Sequence, residues 1–313
     1  MGKNGTATIV KHTGSHYLLS ELPNWNLFPA VVRGRIRLKG STSTNPIAVG
    51  DIVDYSTDDE DTMASIDIIH PRRNYIIRRS TNLSRESHII AANLDCVYLI
   101  VTMQFPETKL PFVDRFLVTC EAYGIPVVIV VNKCDLHDEY SQALLKEFKE
   151  IYADQAGYKI IEVSAIKGEG IEELCEEFKG KISLFSGVSG VGKSSLIKAI
   201  DPQLEYIRTG EISLAHLQGK HTTTFYEMHP IATGGFIIDT PGIRSFGLVD
   251  FEKEELSTYF PEMLSVMDDC YFKPCTHTHE PHCAVKQAVE EGTIAPERYN
   301  SYLGMLEDQT KYR

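Results

Sequence analysis

The sequence predicts an α/β fold in which a P-loop nucleotide-binding domain sits between an N-terminal OB-type β-barrel and a C-terminal α-helical metal-binding module. Three observations predict it. A phosphate-binding loop, Gly187-Val188-Ser189-Gly190-Val191-Gly192-Lys193-Ser194, separates an apolar run from a helical one. A base-reading pattern, Asn132-Lys133-Cys134-Asp135, comes before that loop rather than after it. Three cysteines and a histidine, Cys270, Cys275, His277 and Cys283, crowd into fourteen residues near the C-terminus.

Residues 1–72 read as five short β segments, at 7–10, 16–19, 31–38, 51–55 and 64–69, broken by Gly, Pro and Asn. Five short strands in a segment of this length suit a small OB-type barrel. The third alternates, so Arg33, Arg35, Arg37 and Lys39 share one face. Such a face fits a nucleic-acid backbone; a solvated edge strand that uses charge to block pairing is the other reading. Residues 1–90 carry a net charge of +2 and the remaining 223 a net of −14. Any RNA contact is therefore local, through the barrel, the zinc-binding module or a basic linker at 73–90 next to Arg72, with Arg73, Arg78, Arg79 and Arg85. That linker suits a surface stretch packed on Asp and Glu equally well.

Residues 91–247 hold the nucleotide motifs. An apolar run at 181–186 leads into the phosphate loop and a helical run at 194–200 leaves it, the context the loop requires. Glycines let backbone N–H groups surround phosphate oxygens, and the helix N-terminus adds its positive end. Residues Gly187 through Ser194, with Ser195, form the predicted phosphate contact. Lys193 reaches the β- and γ-phosphates, and Ser194 holds Mg²⁺. A second apolar strand, 235–239, ends in Asp239-Thr240-Pro241-Gly242. Asp239 is expected to hold Mg²⁺ through water, and the Gly242 N–H to meet the γ-phosphate. Thr223, in the polar run Thr222-Thr223-Thr224, is expected to complete the Mg²⁺ shell.

Base choice rests on the apolar strand 127–131 and the motif after it. The Asp135 carboxylate accepts from both N1–H and the exocyclic amine of guanine, whereas adenine leaves it unpaired. Asn132 is expected to tie this loop to the phosphate loop, Lys133 to cover the base, and Ser164-Ala165 to add a backbone contact to the guanine oxygen. The substrate and product are thus GTP and GDP. In an ordinary GTPase the phosphate loop comes first, so this order marks a circularly permuted GTPase. The residue after Gly242 is Ile243, where many GTPases place a water-orienting Gln. A low intrinsic rate follows. His221 either supplies the missing help or is a solvated loop histidine. Arg244 reads as a structural cation.

Residues 248–313 contain the Cys₃His cluster, which matches one closed, structural Zn²⁺ site. A Cys/His-rich loop without metal is the alternative, and His279 and His282 are competing imidazoles. Cys96, Cys120, Cys134 and Cys175 stand singly and read as reduced thiols. With 42% hydrophobic and 24% charged residues, no apolar run long enough to span a bilayer and no leader-like start, the composition suits a cytoplasmic enzyme without membrane attachment.

The whole pattern resembles the bacterial ribosome small-subunit-dependent GTPase A family. The resemblance is carried by Asn93-Leu94-Asp95-Cys96-Val97, Asp114-Arg115-Phe116-Leu117, the base and phosphate motifs, Gly219 through Thr224, Asp239 through Gly247, the Cys270-to-Cys283 spacing, and the run from Glu280 toward Arg298 and Tyr302. Val188 and Lys220 depart from it, where the family has a polar residue and an Arg. The resemblance implies a monomeric factor that binds the small ribosomal subunit and its rRNA, with no DNA partner. It would hydrolyse GTP late in that subunit's maturation, stimulated by it. Two alternatives stand beside this reading: an RNA-binding switch that senses GTP, and a large-subunit assembly GTPase with little intrinsic turnover.

Overall fold

Five strands near the N-terminus close on themselves in the computed structural model of this chain. The model describes residues 4–13, 16–32, 47–57, 63–79, 87–204, 227–239 and 253–311. Strands β1 (Asn4–Thr13), β2 (His16–Ser20), β3 (Phe28–Val32), β4 (Ile52–Ser56) and β5 (Ala64–Ile69) run in the spatial order β1-β2-β3-β5-β4, and β4 pairs back to β1. Only β3 and β5 are parallel. β1 can serve both neighbours because it is long and its register with β2 shifts between Ile9 and Lys11, a bulge that bends the strand. Alternate residues point inward, so Ile9, Leu19, Val53 and Ile66 are fully buried.

The third strand differs from expectation. It covers Phe28–Val32, and the run 33–46 lies outside the described residues, as do Arg33, Arg35, Arg37 and Lys39 with it. The segment expected as a linker contains an antiparallel hairpin, β6 (Tyr75–Arg79) and β7 (Ser87–Ala92). Two arginines at its start, Arg72 just before it and Arg73, are occupied by carboxylates. Arg72 forks onto Asp51 at 2.6 and 2.7 Å, and Arg73 meets Asp95 at 2.6 Å. For these two, packing on acidic groups is the reading that holds.

The nucleotide domain is a six-stranded sheet of β8 (Cys96–Val101), β9 (Val127–Val131), β10 (Lys159–Glu162), β11 (Ile182–Ser186), β12 (Glu227–Pro230) and β13 (Phe236–Asp239). Its spatial order is β10-β9-β8-β11-β13-β12, parallel throughout except for the antiparallel β12. Central strands of a parallel sheet are covered on both faces, and β8 is accordingly apolar throughout and fully buried. Val97, Leu99 and Val101 face one core, and Cys96, Tyr98 and Ile100 the other. The covering helices are α1 (Leu110–Ala122), α2 (Glu139–Lys149), α3 (Ile171–Phe178) and α4 (Lys193–Ile200). α2 starts where Asp138 and Ser141 form a reciprocal cap, the Ser141 N–H donating to Asp138 at 2.9 Å.

The barrel continues this sheet. β1 pairs with β12 at Lys11 and Glu227, whose side chains meet at 2.7 Å, and Trp25 stacks on Phe236 of β13 with ring centroids 5.6 Å apart.

Packed against α1 lies the C-terminal module, with helices α5 (Pro261–Leu264), α6 (Ala284–Glu290) and α7 (Pro296–Lys311). Their apolar core includes Val118 from α1, so α1 is shared between the two domains. Arg298 fastens the joint. It is 1% exposed and donates to Glu262 at 2.7 Å and to Asp114 of α1 at 2.9 Å, with its guanidinium 4.6 Å from the Phe260 ring centre. Burial opposes its charge, but Asp114 and Glu262 outweigh that and raise its pKa above the ordinary value. Asp114 also accepts from Tyr152 at 2.6 Å and from Ser301.

Removing one partner of a buried ion pair strands the others without water. Arg298→Met is expected to destabilise the C-terminal module by about 3–5 kcal/mol. Urea unfolding followed by circular dichroism measures this; an unchanged midpoint would contradict the role given to the joint.

Candidate nucleotide site and metal cluster

Parallel strands present their C-terminal ends at one edge, and loops there converge whatever their order in the chain. Four connections meet at this edge: 102–109 after β8, 132–136 after β9, 163–170 after β10, and 187–192 between β11 and α4. Approach here is close enough to demand glycine, as two positions of the phosphate loop show. A Cβ on Gly187 would lie 2.3 Å from the Ile100 carbonyl oxygen. One on Gly192, whose φ is +93°, would lie 2.5 Å from Asn132 Nδ2.

The phosphate loop curls around Lys193, whose ammonium donates to the Gly187 and Val188 carbonyls at 2.9 Å each. Val191 is buried beneath the loop and Val188 packs beside it, while Ser189 and Gly190 face solvent. Ser194 and Ser195 lie exposed in the first turn of α4.

Asn132 is the hub. It is 1% exposed; its Nδ2 donates to the Val191 carbonyl at 2.8 Å, and its Oδ1 accepts from the Ala165 N–H at 3.3 Å. One side chain thus joins three of the four loops. Lys133 takes a left-handed conformation, φ +67°, and its ammonium donates to Gly190 O at 2.6 Å and to Phe105 O at 2.5 Å. The Ser164 hydroxyl donates to Asp135 Oδ1 at 2.6 Å and itself accepts from the Lys167 N–H at 3.1 Å. That orients the carboxylate expected to read the base.

The structure therefore gathers Asn132, Lys133, Asp135, Ser164, Ala165 and residues 187–195 at one edge. Asp239 is the last residue of β13, two strands from β8 at that edge. Thr223, His221, Gly242, Ile243 and Arg244 lie outside the described residues. No motif marks the connection 102–109, yet it borders the phosphate loop: Pro106 Cδ is 3.3 Å from where a Cβ on Gly190 would sit. The Phe-Pro pair itself was the one signal available in the sequence.

A second cluster lies in the C-terminal module. The ligand atoms of Cys270, Cys275, His277 and Cys283 all fall within 4.8 Å of one another. Cys270 Sγ is 3.9 Å from Cys283 Sγ and 3.6 Å from His277 Nδ1, and His277 Nδ1 is 3.4 Å from Cys283 Sγ. A tetrahedral ion taking thiolates at ~2.3 Å sets sulfur–sulfur edges near ~3.8 Å, so this set fits a metal ion. Burial pushes the Cys275 thiol up to about 12, and the Cys283 and Cys270 sulfurs add to the rise. A cation is the natural means of deprotonating such thiols. The backbone around the set is pinned by Tyr299 and Tyr302, which donate to the His277 and Thr276 carbonyls at 2.6 and 2.7 Å. Glu280 accepts from Thr276 N–H and Oγ1 at 2.9 and 2.6 Å. His279 and His282 are not in the set.

Comparison with known proteins gives this geometry its relatives. The family model described as RsgA GTPase matches residues 69–249. The chain is 50% identical over 307 residues to the small ribosomal subunit biogenesis GTPase RsgA of Bacteroides fragilis strain YCH46, covering 97% of this chain and 98% of that one. It is 49% identical to the protein of the same name from Flavobacterium psychrophilum, covering 98% and 94%. Among solved structures, YjeQ from Thermotoga maritima superposes with a TM-score of 0.81 at 35% identity, covering 99% of this chain and all of that one. A second, described as YloQ, a circularly permuted GTPase, gives 0.76 at 27% identity, covering 99% and 96%.

The position of Asn132 carries a direct test. Asn132→Ala takes the side-chain partner from the buried Val191 carbonyl and from the half-buried Ala165 N–H. Affinity for a fluorescent GDP analogue is expected to fall by about tenfold or more, the scale of an unsatisfied buried group. Equal affinity in titrations of both proteins would remove Asn132 from the role of hub.

Proposed function

The chain belongs to the RsgA GTPase family, and on that premise we propose that its GTP hydrolysis serves the late maturation of the small ribosomal subunit, with the subunit stimulating turnover. The observation that carries this reading is the convergence of the base-reading and phosphate loops, joined through Asn132, in a chain whose full-length relatives are named for small-subunit biogenesis.

In this reading the residues divide the work as follows. Asp135, oriented by Ser164, selects guanine, and Lys133 spans from the base side to the phosphate loop. The backbone of residues 187–195 cradles the phosphates, and Lys193 turns its ammonium from the loop carbonyls to the β- and γ-phosphates. Mg²⁺, when bound, neutralises phosphate charge; Ser194 and Thr223 would ligate it directly and Asp239 through water. The Gly242 N–H meets the γ-phosphate. The Ile243 side chain has no polar atom to orient water, which leaves that task to His221 or to a group supplied by the subunit. This is the physical basis for slow turnover alone and faster turnover on the partner.

The Cys₃His cluster is assigned to one structural Zn²⁺, since three thiolates and one imidazole leave no open coordination position. The partner is the small subunit with its rRNA, met by the barrel and the C-terminal module at the two ends of the nucleotide domain. The proposed domain limits are 1–72, 73–90, 91–247 and 248–313. Among the described residues no helix is long and apolar enough to cross a membrane. The protein is assigned to the cytoplasm as a monomer, without DNA or membrane partners.

GTP turnover measured alone, with purified small subunits and with large subunits decides the main claim. Stimulation by small subunits only is expected; equal or absent stimulation by both would refute it. Metal analysis of the purified chain is expected to find about one zinc per molecule, and Cys275→Ala to unfold the segment beyond residue 265 or so while sparing GTP affinity. Protein that folds fully without zinc would overturn the metal assignment.

A further inference from the structure

The connection 102–109 is built as a clasp, and what it holds out is an aromatic ring. Thr102 and Thr108, both buried, close its base: the Thr102 N–H donates to Thr108 Oγ1 at 3.0 Å and the Thr108 N–H to Thr102 O at 2.9 Å. The Thr102 hydroxyl donates to Pro106 O at 2.5 Å. At the tip, Phe105 has φ +56° and is 68% exposed. A left-handed backbone is unfavourable for a residue with a bulky side chain, and such strain gathers at ligand clamps. An exposed apolar side chain alone would need no explanation. One held in a strained conformation by a closed ring of hydrogen bonds does.

Its position supplies the explanation. The Phe105 carbonyl and the Gly190 carbonyl share the Lys133 ammonium, and Pro106 lies against Gly190. Phosphates belong at 187–195 and the base at Asp135, so the Lys133 stem between them runs along the nucleoside. Phe105 is joined to the tip of that stem. The other described loops of the site, 132–136, 163–170 and 187–193, contain no aromatic residue. We propose that Phe105 is a nucleotide-positioning residue: its ring packs on the nucleoside of the bound guanine nucleotide beside Lys133 and slows its release. This rests on the reading of these loops as the guanine-nucleotide site.

The test is stopped-flow release of a fluorescent N-methylanthraniloyl GDP from the full-length protein. Phe105→Ala and Phe105→Gly both remove the ring, and glycine also accepts the positive φ without strain. Release is expected to accelerate about tenfold or more in both, the scale of an aromatic stacked on a base, and Phe105→Tyr to restore the slow rate. Trp25 is the only tryptophan. In Phe105→Trp, carried in a Trp25→Phe background, bound fluorescent GDP is expected to quench the introduced indole by energy transfer. Release within twofold of the wild-type rate in Phe105→Gly, or faster release in Phe105→Ala alone, would overturn the proposal, as would failure of Phe105→Tyr to restore the rate. Failure of the wild-type protein to prefer GDP over ADP would instead overturn the guanine-site reading.

Discussion

One buried side-chain amide holds the nucleotide edge together. Asn132 faces the phosphate loop with its nitrogen and the Ser164-Ala165 loop with its oxygen; the first contact is buried and the second half-buried, and an unmade hydrogen bond away from water is costly. Residue 132 precedes residue 191 in the chain, and the bond is indifferent to that order. What it requires is that β9 and β11 deliver their C-terminal ends to the same edge, which a parallel sheet does for every strand. The circular permutation is tolerated for this reason: it changes where the chain enters the sheet and leaves each strand beside its proper neighbours.

The flanking domains attach through β12 and α1. The barrel joins through β1 to β12, the strand that emerges from the segment 205–226 where the predicted first switch lies. The C-terminal module joins through Arg298 to Asp114 on α1. α1 in turn follows directly on the clasp that carries Phe105 beside Lys133 and Gly190. Each outer domain therefore abuts an element that continues into the nucleotide edge. The joints differ in chemistry. Lys11 with Glu227 is a half-exposed ion pair of small net worth, whereas Arg298 is enclosed with two carboxylates and an aromatic face.

Much of this was legible in the sequence. Strand, glycine loop and helix around 187–194 announce themselves because phosphate binding constrains backbone and side chains at adjacent positions. The same holds for Asn132 to Asp135 and for the Cys270-to-Cys283 cluster, where function fixes local spacing. Less local features were missed. The hairpin of β6 and β7 was hidden under a run of arginines, two of which are held by Asp51 and Asp95. The first strand was expected to be shorter because pairing with two neighbours, through a bulge, depends on partners remote in the chain.

The sequence by itself determined the chemical patterns: an Asn-Lys-Cys-Asp motif, a glycine-rich loop of the phosphate-binding pattern, a Cys₃His set and the rotated order in which they occur. These are short-range patterns, and a short-range pattern is complete in the residues that spell it. Only the tertiary structure decided how they meet. It placed Asn132 between two loops, gave Arg298 its two carboxylates from separate elements, continued the barrel into the sheet at β12, and brought Phe105 to Lys133. Each of these joins residues tens of positions apart, where burial and hydrogen-bond geometry choose the partner and no local pattern records the choice.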